Sequence, residues 1–284
     1  MWEWNYSMLS STLVASIDTP GFRSTGAVGV SVSATHRALS ALPVRLSGNE
    51  RHWRRQVRLV RREISSGGQT TATLSPSVNT PADTATPGVS SAYYQPLDAW
   101  MHAFRDVNGQ VLLVAWRPVY GWSNVIATNV RSFAPPSIAC STTRCFVALV
   151  EAPTPLSHVG ASTNTRLRWM EGAFAFTVGG SLLYDSPGSS SLETSYYNVL
   201  SDPVASAVLK PDGTWQFYVA TSWPERVGGV WGTRPVTFRH PQNTSGILSM
   251  APMNPPIEHA PGVAVNPTAA ATGPCAELFT WRSP

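Results

Sequence analysis

Four stretches of this chain repeat one pattern: a proline, a short run of small or apolar residues, a turn, then an apolar strand that often contains tryptophan. They are PLDAWMHAFRDVNGQVLLVAW (96–116), PSIACSTTRCFVALV (136–150), PVASAVLKPDGTWQFYVA (203–220) and PGVAVNPTAAATGPCAELFTW (261–281), with starts 40, 67 and 58 residues apart. Asn108-Gly109 and Asp212-Gly213 supply the positive φ that tight hairpins need. Composition agrees: charged residues are only 13% of the chain, while 24 prolines and 21 glycines interrupt helices and favour short strands joined by turns.

A unit of about 40 to 60 residues with three or four strands has the size of a β-propeller blade. With the strand-like alternation before residue 48, the spacing predicts an all-β, propeller-like chain of four or five blades; a β-sandwich or jelly roll is the alternative. Pro136-Ser137-Ile138-Ala139 running into Phe146-Val147-Ala148-Leu149-Val150 resembles the repeats of secreted bacterial propeller-like proteins. That resemblance implies a secreted repeat protein.

Three segments are expected. Residues 1–64 hold strands and one short helix over 49–64, where Trp53, Val57, Val60 and Ile64 recur on one helical face; a strand over 56–64 competes. Residues 65–91, rich in Ser, Thr, Gly and Pro, read as a linker or wrap, and 92–284 as the β-rich body. The net charge of +4 is local, because Arg51, Arg54, Arg55, Arg58, Arg61 and Arg62 fall in one short stretch. A basic segment ahead of a β-rich body is also the layout of viral coat proteins, in which arginines neutralise packaged nucleic acid.

Cys140 and Cys145 flank four small or polar residues. A metal site would need further ligands at suitable spacing, and neither His158 nor Cys275 provides a zinc pattern. A redox pair usually reads C-x-x-C beside a helix. A structural disulfide remains, with two buried thiols as the alternative. Such a hairpin staple contributes about 2 kcal/mol and suits an extracellular, cell-surface or periplasmic setting. The N-terminus shows no signal peptide, and no apolar run is long enough to span a bilayer.

Tryptophan faces stack on sugar rings. Of eleven tryptophans, Trp122, Trp223 and Trp231 lie beside Gly, Ser or Pro and are the candidate ligand-binding residues, whereas Trp116 and Trp215 suit the core. The opening DPVASAVLK at 202–210 resembles the Asp-Pro strand openings of five-bladed glycosidases, and that resemblance implies Asp98, Glu151 and Asp202 as the carboxylates of a hydrolase. No G-x-S-x-G and no phosphate-binding loop occurs, and the six histidines are scattered. The function expected is an extracellular or surface non-catalytic binding or structural module for a glycan or a protein surface, alone or as one subunit of a larger assembly, with no cofactor and no metal. A glycoside hydrolase is second and a coat protein third.

Overall fold

The apolar runs of the repeat become strands buried on both sides. The structure, a computed structural model, describes side chains over residues 89–105, 109–151, 165–185, 203–209 and 212–221. It describes the backbone alone in the strands at 2–5, 10–13, 22–24, 29–31, 36–46, 55–63, 69–73, 189–191, 222–227, 230–240, 248–249, 262–265 and 276–279. Among the described residues six antiparallel sheets form, and the helical content is one 3-10 turn at Gln95–Leu97.

The first sheet pairs β1 (Trp2–Asn5) with β2 (Ser10–Leu13). The second holds β3 (Phe22–Ser24), β4 (Gly29–Ser31), β5 (His36–Leu46), β6 (Arg55–Glu63) and β7 (Gln69–Thr73), in the order β3-β5-β6-β7 with β4 also on β5. The third holds β8 (Ser90–Tyr94), β9 (Ala99–Arg105), β10 (Gln110–Arg117), β11 (Gly121–Trp122) and β12 (Ile126–Arg131). The fourth holds β13 (Ser137–Cys140), β14 (Cys145–Glu151), β15 (Arg166–Phe176), β16 (Leu182–Asp185) and β17 (Ser189–Ser191). The fifth runs β18 (Val204–Leu209), β19 (Trp215–Val227), β20 (Val230–His240) and β21 (Leu248–Ser249), and the sixth pairs β22 (Gly262–Val265) with β23 (Ala276–Phe279).

Strand alternation divides each central run between two cores. On β9, Met101 and Ala103 face the β13–β16 sheet with Leu113, Val147, Leu149, Met170 and Phe174, while Trp100 and Phe104 face the other way with Val114 and Trp116. On β14, Phe146, Ala148 and Val150 turn toward Phe217 and Val219 of the fifth sheet. This double burial is why AWMHAF and CFVALV read as continuous apolar runs rather than as alternation. Phe146 lies 5.0 Å from the Phe217 ring and is fully buried. The two hairpin glycines carry the expected conformation, with φ of 78° at Gly109 and 80° at Gly213.

Successive first strands lie side by side: β4 beside β8, β8 beside β13, β13 beside β18, and β18 beside β22. Two serines join them. Ser90 Oγ accepts the Ile138 N–H at 2.9 Å, and Ser137 Oγ accepts the Ala205 N–H at 2.9 Å. Of these strands β13, β18 and β22 directly follow the repeat's prolines, Pro136, Pro203 and Pro261. The stretch at 96–116 is out of phase with them, because Pro96 sits in the 3-10 turn and β9 and β10 are the second and third strands of their sheet. Val89-Ser90-Ser91-Ala92 occupies the matching place, with Val89 where Pro136 stands and a proline, Pro87, two residues earlier.

The expected N-terminal helix does not form where its residues are described. Arg55–Glu63 is strand β6, paired to β5 on one edge and β7 on the other; positions 49–54 and 64 lie outside the described residues. Pairing along Arg55–Glu63 on one edge and along Arg58–Arg62 on the other satisfies most of the segment's backbone, whereas a helix of this length is marginal in water unless a face is docked. Within 65–91, β7 pairs with β6, and β8 begins at Ser90.

Cys140 and Cys145 form a disulfide directly across the β13–β14 register, with Cα atoms 4.0 Å apart. Their turn is held from within, where Ser141 Oγ accepts the backbone N–H groups of Thr143 and Arg144. It is also held from both flanks: Tyr94 Oη donates to the Thr143 carbonyl at 2.8 Å, and Trp215 Nε1 donates to Thr142 Oγ1 at 3.0 Å.

Candidate functional site

Strand direction decides which side chains meet. β8 and β13 both run from a serine end, marked by Ser90 and Ser137, to a disulfide end, marked by Tyr94 and Cys140. β14 runs back, so Glu151 emerges at the serine end, three residues past Ala148, the partner of Ser137. Asp98 lies at the opposite end, just before β9, in a left-handed conformation (φ 44°) that Asp tolerates better than most residues. The two candidate carboxylates therefore do not share a site, and Asp202 lies outside the described residues.

Glu151, Asp98 and Asp212 are each already engaged. Both oxygens of Glu151 accept from arginines, Oε2 from Arg166 Nε and Oε1 from Arg168 Nη1, all three side chains being partly exposed. The spacing of Arg166 and Arg168 is the strand period, so RLR places both guanidiniums on one face; that signal was available in the sequence and is easily passed over. Asp98 Oδ1 accepts the Tyr93 hydroxyl at 2.8 Å. Burial, followed by that hydrogen bond and the Asp98 charge, pushes the Tyr93 phenol up to about 12. Asp212 is a turn residue, its Oδ1 accepting the backbone N–H of Thr214 at 2.9 Å. Among the described residues no three His, Cys, Asp or Glu side chains converge to hold a metal. No helix there is long and apolar enough to cross a membrane.

The tryptophans fall into three settings. Trp116 is buried beside Trp100, while Trp215 is half-buried and tied to the disulfide turn. Trp122 pairs with Trp116 across β10–β11 and is also half-buried, its ring 5.5 Å from the fully buried imidazole of His102. His102 Nδ1 meets Ser91 Oγ at 2.7 Å, whereas His102 Nε2 and Trp122 Nε1 have no hydrogen-bond partner among the described residues. Burial pushes the His102 pKa down to about 3.

Trp223 and Trp231 lie on a feature that local patterning does not reveal. Among the described residues, 222–227 of β19 and 230–235 of β20 pair only with each other, beyond the reach of β18 and β21. They form a two-stranded arm that continues past the sheet at the serine end for about 20 Å. In its register Trp223 is opposite Arg234 and Trp231 is opposite Arg226, so the tryptophan positions alternate onto opposite faces of the ribbon, each with an arginine as cross-strand neighbour.

The basic segment is likewise rearranged. As a strand, 55–63 places Arg55 and Arg61 on one face and Arg58 and Arg62 on the other, so it is not a single patch; Arg51 and Arg54 lie outside the described residues. At the disulfide end the Arg117 guanidinium sits between two rings, 3.9 Å from the Tyr120 centroid and 4.2 Å from that of Phe176.

No protein-family model matches this sequence, and no curated protein matches it. Solved structures give partial likenesses. One is the alpha-L-arabinofuranosidase PaAbf62A from Podospora anserina in complex with cellotriose, at 9% identity and a TM-score of 0.41, covering 78% of this chain and 66% of that one. This chain thus spans just under two thirds of the arabinofuranosidase's length. Another is AofleA from Arthrobotrys oligospora, at 9% identity and a TM-score of 0.28, covering 82% of this chain and 90% of that one. A triple arginine-to-alanine mutant of AofleA gives 8% identity and a TM-score of 0.33 over the same shares. At these values the likenesses carry no inference about activity. What belongs to this chain itself is an all-β molecule of several antiparallel sheets, stapled by one hairpin disulfide.

Proposed function

We propose that the chain is a secreted, propeller-like module that binds glycans without hydrolysing them. The observation that carries this reading is the β19–β20 arm, which sets Trp223 beside Arg234 and Trp231 beside Arg226 beyond the end of the sheet. An aromatic face for a sugar ring and a guanidinium for its hydroxyls are the two groups that sugar recognition calls on. The Arg166–Glu151–Arg168 cluster at the same end adds polar groups held in fixed geometry. The succession of first strands, β4, β8, β13, β18 and β22, joined twice through serine, supports a radial arrangement of sheets. The disulfide supports an oxidising compartment.

The hydrolase reading has less behind it, since the described carboxylates Asp98 and Glu151 occupy opposite ends and Glu151 is bound by two arginines. The test is retention on a panel of immobilised polysaccharides. Wild-type protein is expected to bind at least one, and Trp223→Ala or Trp231→Ala to weaken that binding by about tenfold, corresponding to one lost stacking contact. Undiminished binding by both variants would remove the arm from the account.

A further inference from the structure

Three arginines stand side by side across the second sheet. Arg23 of β3 is the register partner of Arg45 on β5, and Arg45 is in turn the register partner of Arg55 on β6. Direct cross-strand partners share a face, so all three positions fall on one face in a row about 10 Å wide. Like charges directly opposite one another are destabilising. Among the described residues of this sheet the one acid is Glu63, which pairs with His36 at the far end of β6, eight residues and about 26 Å from Arg55. A row of three cations bears this cost usefully when an anion lies across it.

We propose that Arg23, Arg45 and Arg55 form a binding row for the anionic groups of an acidic polysaccharide, a sulfated or uronate chain. This rests on the glycan-binding reading and narrows its ligand class. A nucleic acid is the less suitable polyanion, because β6 divides its remaining arginines between two faces and gives no continuous basic stripe for a phosphate backbone to follow. A short transverse row instead suits charges spaced along a stiff sugar chain that crosses it.

The experiment compares wild-type protein with Arg45→Gln, Arg45→Lys and the triple variant Arg23→Gln/Arg45→Gln/Arg55→Gln. The probes are a sulfated polysaccharide, a polyuronate, an uncharged glucan and single-stranded RNA at low and high salt, with thermal midpoints measured in parallel. The row predicts that the triple variant loses roughly tenfold or more in affinity for an acidic polysaccharide. Its thermal midpoint stays level or rises as the repulsion is relieved, Arg45→Lys retains most of the binding, and wild-type affinity falls with salt. Which of the two acidic probes binds tighter distinguishes sulfate from carboxylate as the group recognised.

The proposal is overturned if charged and uncharged glycans bind alike in every variant. It is also overturned if affinity falls only where the thermal midpoint falls, or if RNA binds more tightly than either acidic polysaccharide. Binding to the uncharged glucan that depends on Trp223 but not on the arginines would leave the glycan-binding reading standing while removing the row. No binding to any glycan would remove both.

Discussion

At the scale of single residues, the buried polar groups decide how stability responds to conditions. His102 is fully buried with its pKa pushed down to about 3, so the folded chain keeps it neutral where the unfolded chain protonates it near 6.5. Above 6.5 both states are neutral and the histidine has no effect on the pH dependence. Between 6.5 and 3 the unfolded state binds the extra proton, and each pH unit removes about 1.4 kcal/mol of stability. Urea unfolding at pH 7 and pH 5 should therefore show a drop in wild type about 2 kcal/mol larger than in His102→Asn. Equal drops would contradict the burial described. Ser137 is a second such residue, since its hydroxyl accepts the Ala205 N–H in the neighbouring sheet. Ser137→Ala leaves that donor unpaired and should cost about 1 to 3 kcal/mol in unfolding free energy. A change within error would mean that water replaces the hydroxyl.

At the scale of elements, the hairpin staple and the arm behave differently because one is tied into its neighbours and the other is not. The Cys140–Cys145 turn is gripped by Tyr94 and Trp215 as well as by its own serine, so Cys140→Ser/Cys145→Ser should fold and lose about 2 kcal/mol, read as a lowered thermal midpoint. Failure to fold would give the bond a larger role than loop closure. The strands that sequence reveals most directly are those buried on both faces, β9, β10 and β14, because continuous apolar runs of that length have few other uses. The segment at 49–64 misleads for a physical reason. Val57 and Val60 satisfy a helical spacing, and what makes Arg55–Glu63 a strand is partners at 36–46 and 69–73 that no local window contains. The arm is hidden in the same way: the sequence marks Trp223 and Trp231 as notable, but their opposite faces and arginine neighbours depend on a register set by the hairpin closing between Val227 and Val230.

At the scale of the molecule, function turns on which ends of the strands face together. The disulfide was legible because its two residues are close in sequence and flank a turn. The carboxylate set was not, because the grouping of Asp98 with Glu151 depends on strand direction, and alternating directions send them to opposite ends. The serine end instead gathers the arm, Glu151 and its two arginines. The central claim is that this end holds a sugar chain and leaves it intact. The most direct measurement is the length distribution of a bound polysaccharide after prolonged incubation with stoichiometric protein. The account predicts saturable binding with no new reducing ends. Chain shortening that disappears in Glu151→Gln or Asp202→Asn would contradict it and make the molecule a hydrolase.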